Sequence, residues 1–92
     1  MNYIISKITD LNGVVKTSKD AKSRVNRIVK IFFDEIKINN PMFMECFYPG
    51  YDKSIITSRV KSYRIGSNDL TITTENSVYY LQKFDVNSFI KK

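Results

Sequence analysis

Between residues 55 and 83 the chain alternates with a period of two, and turn-forming clusters interrupt the alternation at short intervals. In the first run, Ile56, Ser58 and Val60 point one way, while Thr57, Arg59, Lys61 and Tyr63 point the other. Gly66-Ser67-Asn68-Asp69 breaks that run. Leu70, Ile72 and Thr74 then alternate with Thr71 and Thr73, and after Glu75-Asn76 the segment Ser77-Val78-Tyr79-Tyr80-Leu81 returns. A period of two puts successive side chains on opposite faces of an extended strand, and β-branched and aromatic residues suit such faces. Gly, Asn and Asp tolerate the left-handed backbone of tight turns. A three-stranded antiparallel meander over residues 55–83 follows.

The same alternation of short runs and turn clusters continues upstream. Residues 3–9 form an apolar run closed by Asn12-Gly13, with residues 14–17 returning, and Asn-Gly between such runs is a strong hairpin signal. Residues 42–48 place Met42, Met44, Cys46 and Tyr48 on one face and Phe43 and Phe47 on the other. Both faces are apolar, which predicts a central or covered strand. Residues 18–38 carry two patterns at once. As a helix, Ala21, Val25, Ile28, Val29, Phe32 and Ile36 share a face, with Ser18, or Thr17 and Asp20, as the cap. As a strand, Val29, Ile31 and Phe33 alternate within a β-branched and aromatic stretch.

The chain has 92 residues, enough for one domain spanning 1–92. With no His and one Cys, it cannot build zinc sites from those ligands, a Cys–His nucleophile, a serine triad or an internal disulfide. Cys46, in an apolar run, reads as a small core residue. The three glycines, at 13, 50 and 66, form no phosphate-binding loop. Most carboxylates sit beside turns, and the adjacent Asp34 and Glu35 point apart, so they cannot share a proton. No catalytic residue, metal ligand or cofactor site is therefore assigned, and the chain reads as a non-enzyme. No run approaches the roughly 20 apolar residues of a membrane span. The start of the chain lacks the pattern of a secretory signal, so a cytoplasmic location with no membrane partner is expected.

Charge narrows the function further. Fifteen Lys and Arg oppose nine Asp and Glu, giving a net charge of +6 and a pI near 9.5. Lys16, Lys19, Lys22, Arg24, Arg27 and Lys30 form the densest basic stretch, with Asp20 alone opposing. Arg59, Lys61 and Tyr63 form a second group on one strand face, with Tyr80 or Lys83 beside it on a neighbouring strand. Cations attract phosphate, and aromatic rings on a sheet stack bases. The candidate partner contacts are Arg24, Arg27, Lys30, Arg59, Lys61, Tyr63 and Tyr80.

Three segments carry a resemblance: Ser23-Arg24-Val25-Asn26-Arg27-Ile28-Val29, Thr57-Ser58-Arg59-Val60, and Thr74-Glu75-Asn76-Ser77-Val78-Tyr79-Tyr80-Leu81. Together they resemble a loose group of short, mostly uncharacterised proteins encoded by phages and other mobile elements of low-GC bacteria. The resemblance spans most of residues 3–82. Asn26 stands where the group's pattern places Gly, a position suited to the left-handed backbone of a bulge. The resemblance implies a small β-barrel or roll and brings no established activity. With it, a strand near residues 27–33 is preferred over the helix. The expected fold is all-β: a small barrel or roll of five to six antiparallel strands with a C-terminal meander. The alternative is α+β, with a helix near residues 18–36. Residues 85–92 read as a tail or short helix, and the apolar residues around them suit a lid over the barrel or a homodimer contact.

The function this origin implies is a binding module that antagonises a host factor, such as a CRISPR-type defence complex. Its partner would be a host protein or a protein–nucleic acid complex. Direct RNA or DNA binding is the alternative. A small basic endoribonuclease toxin is a minor one: Tyr63-Arg64-Ile65-Gly66 resembles part of such toxins, but Asn12-Gly13 breaks their N-terminal helical hairpin.

Overall fold

In the computed structural model, which describes residues 1–85, the runs become six strands and one short α-helix, with single 3-10 turns at Phe33–Glu35 and Tyr51–Lys53 between them. In chain order these are β1 (Asn2–Thr9), α1 (Lys19–Arg24), β2 (Ile28–Lys30), β3 (Pro41–Tyr48), β4 (Ile55–Ile65), β5 (Asp69–Thr74) and β6 (Val78–Lys83). Each strand pairs antiparallel with the next, and β6 pairs back onto β1, closing an all-β barrel. Closure removes the unpaired strand edges that an open sheet would present.

The inward positions interdigitate across strands. Ile5, Leu81 and Leu70 form one register row across β1, β6 and β5, and Ile8, Tyr79 and Ile72 form the next. Tyr3, Val29 and Cys46 form a third row across β1, β2 and β3. All nine side chains are at most 3% exposed. Cys46 is thus a buried core residue, as its setting in the sequence suggested.

Burial also acts on a titratable group. It pushes the Tyr3 phenol above its usual range, and the nearby Asp69 carboxylate pushes in the same direction. A phenol harder to ionise in the folded chain stabilises the fold fully below its unfolded pKa of about 10, and that contribution fades as pH rises further. Tyr3→Phe should therefore flatten the loss of stability above about pH 10 in urea titrations. An alkaline limb identical to the parent's would exclude Tyr3 as its cause.

The meander over residues 55–83 forms as the sequence predicts, and so does the strand over 42–48. Three local expectations are corrected. Residues 14–17 do not return as a strand: Val15 makes a single bridge to Thr9. Gly13 turns the chain at φ +88°, and Asp10 Oδ1 accepts from the backbone N–H groups of Asn12 (2.8 Å) and Val14 (3.0 Å). Val14 and Val15 stay more than half exposed, so no buried face rewards further pairing.

Residues 18–38 split between the two patterns. Ser18 caps α1 by accepting from the Ala21 N–H, and Ala21 is the residue that α1 buries. The helix ends after six residues, where Val25 turns extended and Asn26 adopts φ 74°. Strand β2 then takes three residues of the predicted 27–33. The alternation outlasts the pairing: Val29 and Ile31 are buried, and Phe33 packs edge-on against Tyr3 at 6.2 Å.

Strand β3 is covered on one side only. Met42, Met44 and Cys46 are buried, but Phe43 is 56% exposed and pairs with Ile56, itself 66% exposed. The outward aromatic face of β3 is therefore open to solvent at Phe43. The predicted tail over residues 85–92 lies outside the described residues, Asp85 apart.

Candidate nucleic-acid interface

Strand β4 is the longest of the barrel, and it does not keep one alternation. Its register against β3 shifts between the Phe43–Ile56 and Pro41–Arg59 pairs, and against β5 between Val60 and Ser62. A bulge inserts one residue into a strand and swaps the faces of everything beyond it. Thr57 and Val60 are consequently both buried, although the uninterrupted pattern put them on opposite faces. Beyond the second bulge, Tyr63 pairs with the buried Ile72 and so lies on the core side, 40% exposed near the strand's end. The expectation that Arg59, Lys61 and Tyr63 share a face is corrected here.

Arg64 takes the outward position instead. It pairs with Thr71, Thr71 pairs with Tyr80, and Tyr80 pairs with Lys7. Paired residues of an antiparallel ladder share a face, so these four side chains form one row across β4, β5, β6 and β1. Neighbouring strands lie about 4.8 Å apart, so the row is roughly 14 Å long. Lys7 Nζ sits 4.6 Å from the centre of the Tyr80 ring, a cation–π contact that sets a charge beside an aromatic surface. The next row toward the β5–β6 turn holds Ser62, Thr73 and Val78.

Lys61, at the bulge, is exposed. Arg59 reaches Glu75 at 3.7 Å, an ion pair with both side chains well exposed. Such a pair contributes little and opens easily, so it leaves Arg59 available as a rim cation.

Arg24, Arg27 and Lys30 do not join this face. Arg24 Nη1 donates to the Tyr79 hydroxyl at 2.7 Å. Arg27 folds back on its own neighbourhood, donating to the Ser23 carbonyl at 2.9 Å and to the Lys53 carbonyl. Lys30 is exposed on β2, opposite Asn2 on one side and Glu45 on the other. The structure thus groups Tyr80 with two cations outside the predicted contacts, Lys7 and Arg64, while Lys61 stands exposed at the bulge three residues before Arg64 on β4. Lys7 becomes a neighbour of Tyr80 only through the long-range pairing of β1 with β6. Arg64 was hidden by the bulge.

Among the described residues, no group of three or more potential ligands could hold a metal ion, and no helix is long and apolar enough to cross a membrane. The row offers positive charge, hydroxyls and one aromatic ring, the groups that meet phosphates and stack on bases. No protein-family model, curated protein or solved structure matches this chain.

Proposed function

We propose that the chain is a non-enzymatic, cytoplasmic binding module whose outer barrel face engages single-stranded RNA or DNA. The row Lys7, Tyr80, Thr71 and Arg64, flanked by Lys61, carries this reading. Cations spaced along a groove or face meet successive phosphates, while a ring between them stacks on a base whatever its identity.

Fluorescence anisotropy with labelled single-stranded RNA, single-stranded DNA and duplex DNA tests it. Three phosphate contacts by Lys7, Lys61 and Arg64 give a log–log salt slope of roughly −2 on single strands, or about a twentyfold loss between 50 and 200 mM salt. Single strands should bind more tightly than duplex. Absence of binding at 50 mM, or a duplex preference, would refute this reading.

A second reading is supported by a different surface. The exposed Phe43–Ile56 pair on the outside of the barrel suits a protein partner, as the accessory-protein resemblance implies. In that case the chain antagonises a host protein or protein–nucleic acid complex. Phe43→Ser should then weaken capture of that host component and leave oligonucleotide binding intact.

A further inference from the structure

Strand β5 pairs only with residues 60–65 of β4, so the barrel wall is unzipped along the first half of β4. Helix α1 lies across this opening, and the β5–β6 turn closes its third side. Between them is a cleft of about 310 Å³, at the small end of the range for ligand sites. Its polar lining includes Lys16, Arg24, Asp20, Ser58 and Asn76, and Ile56 and Ala21 supply an apolar wall.

The two cations are held in place by uncharged partners. Lys16 Nζ donates to Ser77 Oγ at 2.7 Å, and Arg24 Nη1 donates to Tyr79 Oη at 2.7 Å. Ser77 and Tyr79 are both buried, so their hydroxyls are fixed points from which the cations extend. Neither cation is neutralised. Asp20 forms no ion pair with either and lies beyond ion-pair distance of both. Lys16 and Arg24 are half-buried, so both have lost part of their water without gaining a counter-ion. Each spends one donor on a hydroxyl and retains others.

We propose that this cleft binds a phosphomonoester, with Lys16 and Arg24 as its charge partners. A phosphomonoester carries a charge of about −1.5 to −2 at neutral pH and presents three acceptor oxygens. That charge matches two cations, where a single carboxylate would leave one uncompensated. The Ser58 and Asn76 side chains supply further donors at the wall, and the apolar side has room for the group that bears the phosphate. Asp20 opposes the ligand and sets a ceiling on affinity. The phosphate can come from a free mononucleotide or from the 5′ end of a strand. The site shares no side chain with the Lys7–Arg64 row, so it stands or falls independently of the outer-face reading.

Isothermal titration with AMP, adenosine, inorganic phosphate and acetate tests it. AMP and phosphate should bind and adenosine and acetate should not. Lys16→Gln and Arg24→Gln should each weaken AMP binding at least fivefold, with melting temperatures measured alongside. Asp20→Asn should tighten it about three- to fivefold, a gain that misfolding cannot produce. Lys61→Glu with Arg64→Glu should leave AMP affinity unchanged. Competition then separates the two sources. Displacement of AMP by a 5′-phosphorylated but not a 5′-hydroxyl oligonucleotide assigns a strand end, and displacement by neither assigns a free mononucleotide. Equal binding of AMP and adenosine, no binding of AMP, or Lys16 and Arg24 variants that bind like the parent would overturn the proposal.

Discussion

Leu81→Ala should cost the barrel about 2–5 kcal/mol, the range for deleting a buried leucine side chain from a packed core. A domain of this length has a total stability of roughly 5–14 kcal/mol, so the loss is a large share of it. The position matters for its connections as much as for its burial. Leu81 is 1% exposed, and its register partners, Leu70 on β5 and Ile5 on β1, are buried too. It therefore sits in the strand that joins the C-terminal meander to the N-terminal strand and closes the barrel. A void there removes contacts on both sides of that joint, and flanking strands pinned by their own ladders cannot collapse into it. Urea unfolding should show a lower midpoint with an unchanged slope. Leu81→Met, which conserves volume, should cost less than about 1.5 kcal/mol. A loss below 1 kcal/mol for the alanine variant would mean that the closing strand is not packed as described.

That joint also marks where the sequence stops being informative. The meander over residues 55–83 is legible because its turns lie within a few residues of the strands they connect. Gly66 to Asp69 and Glu75-Asn76 dictate pairing locally. The pairing of β1 with β6 joins residues 69 to 80 positions apart, from Thr9–Val78 to Tyr3–Lys83, and no local preference encodes it. Lys7 could not be placed beside Tyr80 without it. The bulges in β4 are hidden for a different reason. Ser, Arg, Lys and Tyr in residues 58–63 are tolerated on either face, so their pattern fits one uninterrupted alternation as well as two shifted ones. Only the closure of a narrow barrel, which requires a sharply bent strand, selects the shifted version. In residues 18–38 both patterns were present and each governs a part. The polar stretch after Ser18 makes a short capped helix. The apolar alternation of Val29, Ile31 and Phe33 points into the core. The open face of Phe43 was illegible because an apolar residue on the outside of a strand looks the same in sequence as one beneath a second layer.

Lys61→Glu with Arg64→Glu should weaken single-stranded oligonucleotide binding about a hundredfold at 50 mM salt, and flatten the salt slope by roughly 1.4. The slope is the more telling quantity. Each phosphate contact on a single strand contributes about 0.7 to it, so losing two contacts subtracts a fixed amount whatever the sequence bound. Both side chains are exposed and neither has an ion-pair partner among the described residues, so the reversal leaves the core intact and the melting temperature close to the parent's. Arg59→Glu is the informative contrast. It removes a cation that is paired with Glu75 and sets two carboxylates side by side, so it should cost binding less than reversal at Arg64 does. Tyr80→Leu separates stacking from charge. It removes the ring but no phosphate contact, so affinity should fall by roughly five- to a hundredfold while the slope stays the same. If instead the double reversal left both affinity and slope unchanged, Lys61 and Arg64 would not be phosphate contacts, and the dense basic stretch of α1 and the segment before it would be the next candidate. Lys16, Lys19 and Lys22 would then be the residues to reverse.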